Sequence, residues 1–284
     1  MTEITIKQEE IPIERKTEPQ LIKDYDKIRN EIQESFADSV VLLTTDIQKD
    51  IDFDNSFDNK NLSKANKKIP WTEYQNKLER NIKSYTDIVT DKVLDYEETY
   101  GFDRTIKNNV KDWIDTNART EVLDISEKSK KAFNTNYRGF FKEDEEEYPQ
   151  VSIIKKSIGL PPKYTKAVNN YLVNQRDEFT FQKARGQTRD YIRELRRRRA
   201  ELIAKQELWE AMIKTRIMLH NHLFMWGELD RSKIGKQWLA RKNACKQCRE
   251  LDGEIRKWSE NFVGKIKFPG AHVSCFCLYR LVEL

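Results

Sequence analysis

Apolar residues recur along most of this chain at steps of three and four, the period of a helix that buries one face. Thr17-Glu18-Pro19 supplies an N-cap, an acid and a proline for a first turn. Leu21, Ile22, Tyr25, Ile28, Ile32 and Phe36 follow at helical spacing. Val40 to Ile47 either continues that helix or opens another. Residues 1–16 read as a polar extended arm, and Asp50 to Lys68, rich in Asp, Asn and Lys, as a loop. Pro70-Trp71-Thr72-Glu73 starts a second long helix, with an apolar face through Leu78, Ile82, Tyr85, Ile88, Val89, Val93 and Leu94; Tyr100-Gly101-Phe102 ends it. Further helices are expected over 104–119 and 120–134. Tyr137 to Gln150, with Gly139 and Pro149, is the best domain boundary or exposed loop.

The second half is more regular. Val151 to Ser157 reads as a short helix and Gly159-Leu160-Pro161-Pro162 as a turn into a helix over 162–175. Phe179 to Leu219 keeps the helical period, with Ile192, Leu195, Ile203, Leu208, Met212 and Ile213 available for burial and Gly186 as a candidate break. After Gly227 the apolar pieces shorten to Lys236–Ala240, Glu254–Arg256 and Cys277–Val282, which suit a small sheet. The pattern predicts a mainly α fold: a helical region over 1–150, then 151–284, where long helices lead to a small C-terminal α+β module.

Composition agrees. Hydrophobic residues are 38% and charged residues 35% of the 284, and the mean hydropathy is -0.83, so any core is thin and spread along helices. Nine Gly and seven Pro are too few for many short strands. No apolar run approaches the roughly 18 residues of a membrane span, and the N-terminus lacks the basic and apolar regions of a secretory signal. Cysteines in such a chain read as intracellular thiols.

The formal net charge is only +5, but it is uneven. Glu143 to Glu147 is acidic, and the stretch from Arg185 is basic up to Arg196-Arg197-Arg198-Arg199. That run is the candidate nucleic-acid contact, against the plainer reading of a solvated helix face. Successive helix positions are about 100° apart, so four adjacent arginines cannot share a face. Two could meet phosphate while the others pair with Glu194 or Glu201.

All four cysteines lie near the end, in Cys245-Lys246-Gln247-Cys248 and His272-Val273-Ser274-Cys275-Phe276-Cys277. A CxxC turn points two thiolates at one ion, and His272 with Cys275 or Cys277 could complete a tetrahedral Zn2+ site. Five candidates for four places leave the set open. With no carboxylate placed as a general base, the site reads as structural, and the HxE plus PCxxC deaminase signature is absent.

With Leu251-Asp252-Gly253 after the first pair, Pro269 before the second and Trp238 ahead of both, this C-terminal stretch resembles the phage minor head proteins of the Mu F, or SPP1 head morphogenesis, type. Ile158-Gly159-Leu160-Pro161-Pro162 and Arg199-Ala200-Glu201-Leu202-Ile203-Ala204 are similar to two upstream pieces of that family, so the resemblance spans about residues 151–284. Lys205-Gln206, Phe276 and the Gly270-Ala271 spacer depart from its usual pattern. The resemblance implies a structural, non-enzymatic protein of the virion. It would sit inside the head near the portal vertex, with the portal protein as partner, the major capsid protein and packaged DNA as further ones, and no membrane. The alternatives from other classes are a zinc-containing enzyme acting on nucleic acid or a host target, and a DNA-binding zinc protein outside the particle.

Other candidates read as structural. His220-Asn221-His222 spells HNH, but three adjacent helix residues point in three directions, and surface or interface histidines are expected. Trp71, Tyr74, Tyr85 and Trp113 sit at helical spacing and read as core. Glu207 reads as a salt-bridging or capping residue rather than a catalytic one.

Overall fold

A computed structural model of the protein describes residues 18–50, 70–97, 181–270, 272 and 275–284, with isolated helical residues between 108 and 174. The expected N-terminal arm, the Thr17 cap, most of the 50–68 loop, the end of the second helix at 100–102, the 137–150 boundary and the 151–157 helix lie outside the described residues.

Three long helices dominate, as the apolar period requires, and a small sheet-containing module follows. Helix α1 is Glu18–Asp50 and runs unbroken through Val40 to Ile47. Its buried stripe, Leu21, Tyr25, Ile28, Ile32, Phe36, Val40 and Leu43, steps by three and four. Helix α2 is Trp71–Tyr96, opened by a bond from the Tyr74 N–H to the Pro70 carbonyl at 3.0 Å. Its face differs from expectation in one place. Ile88 is exposed, and Thr86 and Thr90 are buried instead. The stripe Leu78, Ile82, Thr86, Val89 and Val93 keeps the helical step, which Ile88 does not. Thr86 is tolerated there because its hydroxyl donates to the Ile82 carbonyl at 2.7 Å.

Helix α3, Phe181–Met225, passes through Gly186 without a break. A helical glycine costs only about 1 kcal/mol relative to alanine, little against 45 residues of helix. Between Glu207 and His220 most positions are buried and the rest half-buried, so no side of this stretch is fully exposed; Ile203 earlier in the helix is half-buried.

The chain forms two compact units that are not consecutive stretches. One comprises 1–31, 88–111 and 208–284; the other comprises 32–87 and 112–207. Each long helix therefore lends residues to both. In the second unit Phe36 stacks on Tyr85 with ring centroids 4.7 Å apart. In the first, Tyr25 meets Tyr96 and Trp209 edge-on at 5.5 and 6.4 Å.

The first unit also holds the C-terminal module. Strand β1 is Ile234–Leu239, helix α4 is Lys246–Glu250, β2 is Ile255–Lys257 and β3 is Leu278–Glu283. The sheet order is β2-β1-β3, antiparallel throughout, with Gly235 opposite Lys257 and Val282, and Leu239 opposite Leu278. Gly235 is required by close approach: a Cβ there would lie 2.8 Å from the Arg256 carbonyl oxygen. Phe224, Leu229, Ile234, Trp258, Tyr279 and Leu281 form one apolar cluster of this unit. Trp238, Leu251 and Phe262 form another around Cys248, Cys275 and Cys277.

Candidate metal centre

Cys245 is the N-cap of α4, and its Sγ accepts the Cys248 N–H at 3.5 Å. One turn of helix thus brings both thiols of the CxxC to one place, beside His272. The second pair is placed by β3, which begins immediately after Cys277. Gly270, at φ +87, lets the chain turn there, and its N–H donates to Cys275 Sγ at 3.4 Å. The Cys275 N–H then bonds the His272 carbonyl at 3.0 Å.

The five predicted ligands come together. His272 Nε2 lies 3.4 Å from Cys245 Sγ and 3.1 Å from Cys248 Sγ, and Cys248 Sγ lies 3.7 Å from Cys275 Sγ. Metal–sulfur bonds of about 2.3 Å and metal–nitrogen bonds of about 2.0 Å in a tetrahedron give edges of roughly 3.5–3.8 Å. The observed separations are of that size or slightly shorter. Two overlapping groups, Cys245/Cys248/His272 and Cys248/Cys275/Cys277, each have donor atoms within 4.8 Å of one another and could hold a metal ion. Cys248 belongs to both. Cys245 is exposed; Cys248, Cys275 and Cys277 are buried.

The thiols share protons unequally. A hydrogen bond from Cys277 brings Cys275 down to about 5 against the opposing effect of burial, with the Cys277 and Gly270 N–H groups assisting. Burial pushes Cys248 up to about 12. Cys277 is raised, first by its hydrogen bond to Cys275 and then by burial. Backbone N–H donors aimed at sulfur and an apolar surround are what an ion-binding thiolate cluster needs from its second layer.

The remaining motif residues brace this centre. Asp252 accepts the Ala240 N–H at 2.7 Å, and Gly253, at φ +77, donates to the Trp238 carbonyl at 2.9 Å. The Trp238 N–H in turn bonds the Glu254 carbonyl at 2.9 Å. Leu251 and Trp238 are buried beside Cys248. Phe276 packs its ring edge-on to Trp209 at 6.1 Å.

Sequence reasoning missed the buried cations that anchor β3. Three side-chain donors take carbonyls around its start: Arg241 Nε takes that of Phe276, Trp209 Nε1 that of Cys277 at 3.3 Å, and Arg216 Nη1 that of Tyr279. Arg216 is fully buried and pairs through Nε with Glu97 at 3.0 Å. Glu97 also accepts the Tyr25 hydroxyl. Arg241 makes a two-pronged bond to Asp26 at 2.7 and 2.8 Å. Lys236, fully buried on the central strand, donates to the Trp258 carbonyl at 3.0 Å and lies 4.2 Å from the Phe268 ring centroid. The available signal was an arginine two helical turns from Trp209 within the apolar run from Leu208 to Leu219.

The histidines expected at a surface or interface are buried instead. His220 Nδ1 bonds the Tyr279 hydroxyl at 2.9 Å, Asn221 accepts the Trp258 indole N–H at 2.9 Å, and His222 Nε2 lies 3.3 Å from Asn109. Helical geometry sends the three residues to three different partners. Burial holds His220 well below the usual imidazole value, and Arg216 adds to the shift.

The arginine run is not gathered on one face. Arg196 turns inward to Thr45 Oγ1 at 2.9 Å. Arg197 pairs with Glu201 at 2.7 Å and with Asp38, and Arg198 with Glu194. Arg199 also has a partner. Compared with known proteins, the chain matches no family model, no curated protein and no solved structure.

Proposed function

We propose that this protein is a structural minor head protein of a tailed phage, placed inside the head near the portal vertex, with a zinc ion fixing its C-terminal module. The observation that carries the reading is the division of labour among the motif residues. Those that resemble the head-protein pattern, Trp238, Leu251, Asp252 and Gly253 with the cysteines and His272, all serve the centre or its bracing. Such a module serves assembly and endurance, as a structural metal does in a small fold that cannot bury enough apolar surface by itself. Zinc is favoured by a donor set of thiolates and one imidazole at tetrahedral spacing.

The long helices supply surface for a helical partner such as the portal, with the major capsid protein as a second neighbour. The test is quantitative mass spectrometry of purified virions of the source phage, with the portal protein as internal standard. The expected result is a low, fixed ratio to portal. Absence from both proheads and mature particles would overturn the reading. Zinc near one equivalent per chain, after purification without chelator, is the accompanying expectation.

A further inference from the structure

The positive charge of this chain is concentrated where the sequence draws no attention to it. Residues 228–284 hold twelve Lys or Arg against seven Asp or Glu, so this module carries the whole formal charge of +5 and residues 1–227 balance to zero. The structure sharpens the contrast. Lys242, Arg249, Lys257, Lys265 and Lys267 are exposed, and none has an ion pair among the described residues. Lys246, 87% exposed, reaches Glu250 only at 3.9 Å. Four of the module's seven carboxylates are engaged locally: Asp252 by the Ala240 N–H, Glu254 by Arg256, Glu260 by the Lys257 N–H and Asp230 by Ser232.

Part of this charge is gathered by the metal fold. Lys246 and Arg249 are three apart on α4 and share a side of it. A Cβ on Gly264 would lie 3.3 Å from Gln247 Nε2, which sets the Val263–Lys265 turn against α4 and brings Lys265 alongside.

We propose that this face of the metal module binds the phosphate backbone of duplex DNA without reading its sequence. Unpaired, exposed cations are what counterion release requires. Between residues 240 and 267 no aromatic ring is exposed for stacking on unpaired bases, since Trp258 and Phe262 are buried. The cations also do not rim an apolar core of the kind a protein partner would bury: on α4 and the facing turn the exposed apolar side chain is Val263. The proposal does not depend on the head-protein reading, and either can fail while the other stands.

The test is fluorescence anisotropy of the full-length, metal-loaded protein with a mixed-sequence DNA duplex over a salt series. Phosphate contacts by Lys246, Arg249 and Lys265 alone contribute about -3 to the slope of log Kobs against log[salt]. The Lys246→Gln, Arg249→Gln, Lys265→Gln triple variant should flatten that slope by roughly 3. Its metal content and far-UV circular dichroism should match the parent, because the three side chains point into solvent. The Arg193→Gln, Arg198→Gln variant should keep the parental slope. No binding at about 50 mM salt would overturn the proposal. So would an unchanged slope in the triple variant, or binding to phosphatidylserine vesicles or polyglutamate with none to DNA.

Discussion

The two basic regions of this molecule, a dense run on α3 and scattered cations in the C-terminal module, rank in opposite order in sequence and in the folded chain. On α3, Arg196 to Arg198 find Thr45, Asp38, Glu201 and Glu194, so the densest basic run is tied up within the protein. In the C-terminal module the cations are scattered along the sequence, yet Lys242, Arg249, Lys257, Lys265 and Lys267 stand in solvent without an ion pair among the described residues. A charge run on a long helix lies near the acids of its own turns and of neighbouring helices. A small module of short elements has few such neighbours, so several of its cations stay unpaired. Density of charge in sequence is therefore a poor guide to charge available to a partner.

The same two regions are held together differently. The helices bury continuous apolar stripes, whereas the module relies on a small apolar cluster around three buried thiols and on buried cations that hold β3. The largest effect should come from Cys248→Ser, because Cys248 belongs to both candidate ligand groups. We expect bound metal to be lost and near-UV circular dichroism to collapse, while most far-UV helical signal persists. Wild-type metal content in that variant would break the contrast.

Arg216→Met comes next. It leaves Glu97 without its guanidinium partner and the Tyr279 carbonyl without its donor, at a cost of about 3–5 kcal/mol in chemical denaturation. A loss below about 1 kcal/mol would mean that the buried pair does not hold β3.

Acid should act on the module in a graded way. In the metal-free protein Cys275 is depressed to about 5, so its contribution to stability is complete above the ordinary thiol value and disappears as the pH falls through about 5. With metal bound, protons compete for the same thiolates, and acid releases the ion. Metal retained after dialysis at pH 7.5 and lost towards pH 5 is the expected outcome; retention that ignores pH would argue against thiolate ligation.

The smallest effect should be that of Arg198→Ala. Its pair with Glu194 is solvent-exposed, and its loss should change stability by no more than about 0.5 kcal/mol. A loss of several kcal/mol would show that the arginine run is structural in a way its exposure does not suggest.

The linear pattern determined much of the architecture. The three- and four-residue steps of Leu21 to Phe36 and Leu78 to Val93 are enough to specify helices and their buried faces, because helical period and side-chain polarity are local properties. The cysteine and histidine spacing likewise marked the residues that meet at the candidate centre, since a CxxC turn is local and chemistry limits what it can serve. The triplet His220-Asn221-His222 shows the limit. Its adjacency was legible, but the partners Tyr279, Trp258 and Asn109 come from distant segments. Arg216 and Lys236 are of the same kind: the apolar run around Arg216 hints at burial, but nothing within a few residues of either side chain names the strand or the aromatic rings it meets. Ion pairing of the arginine run and the freedom of the module's lysines were also decided in three dimensions, because a charge is neutralised by whatever folding brings within a few ångströms, whatever its place in the chain.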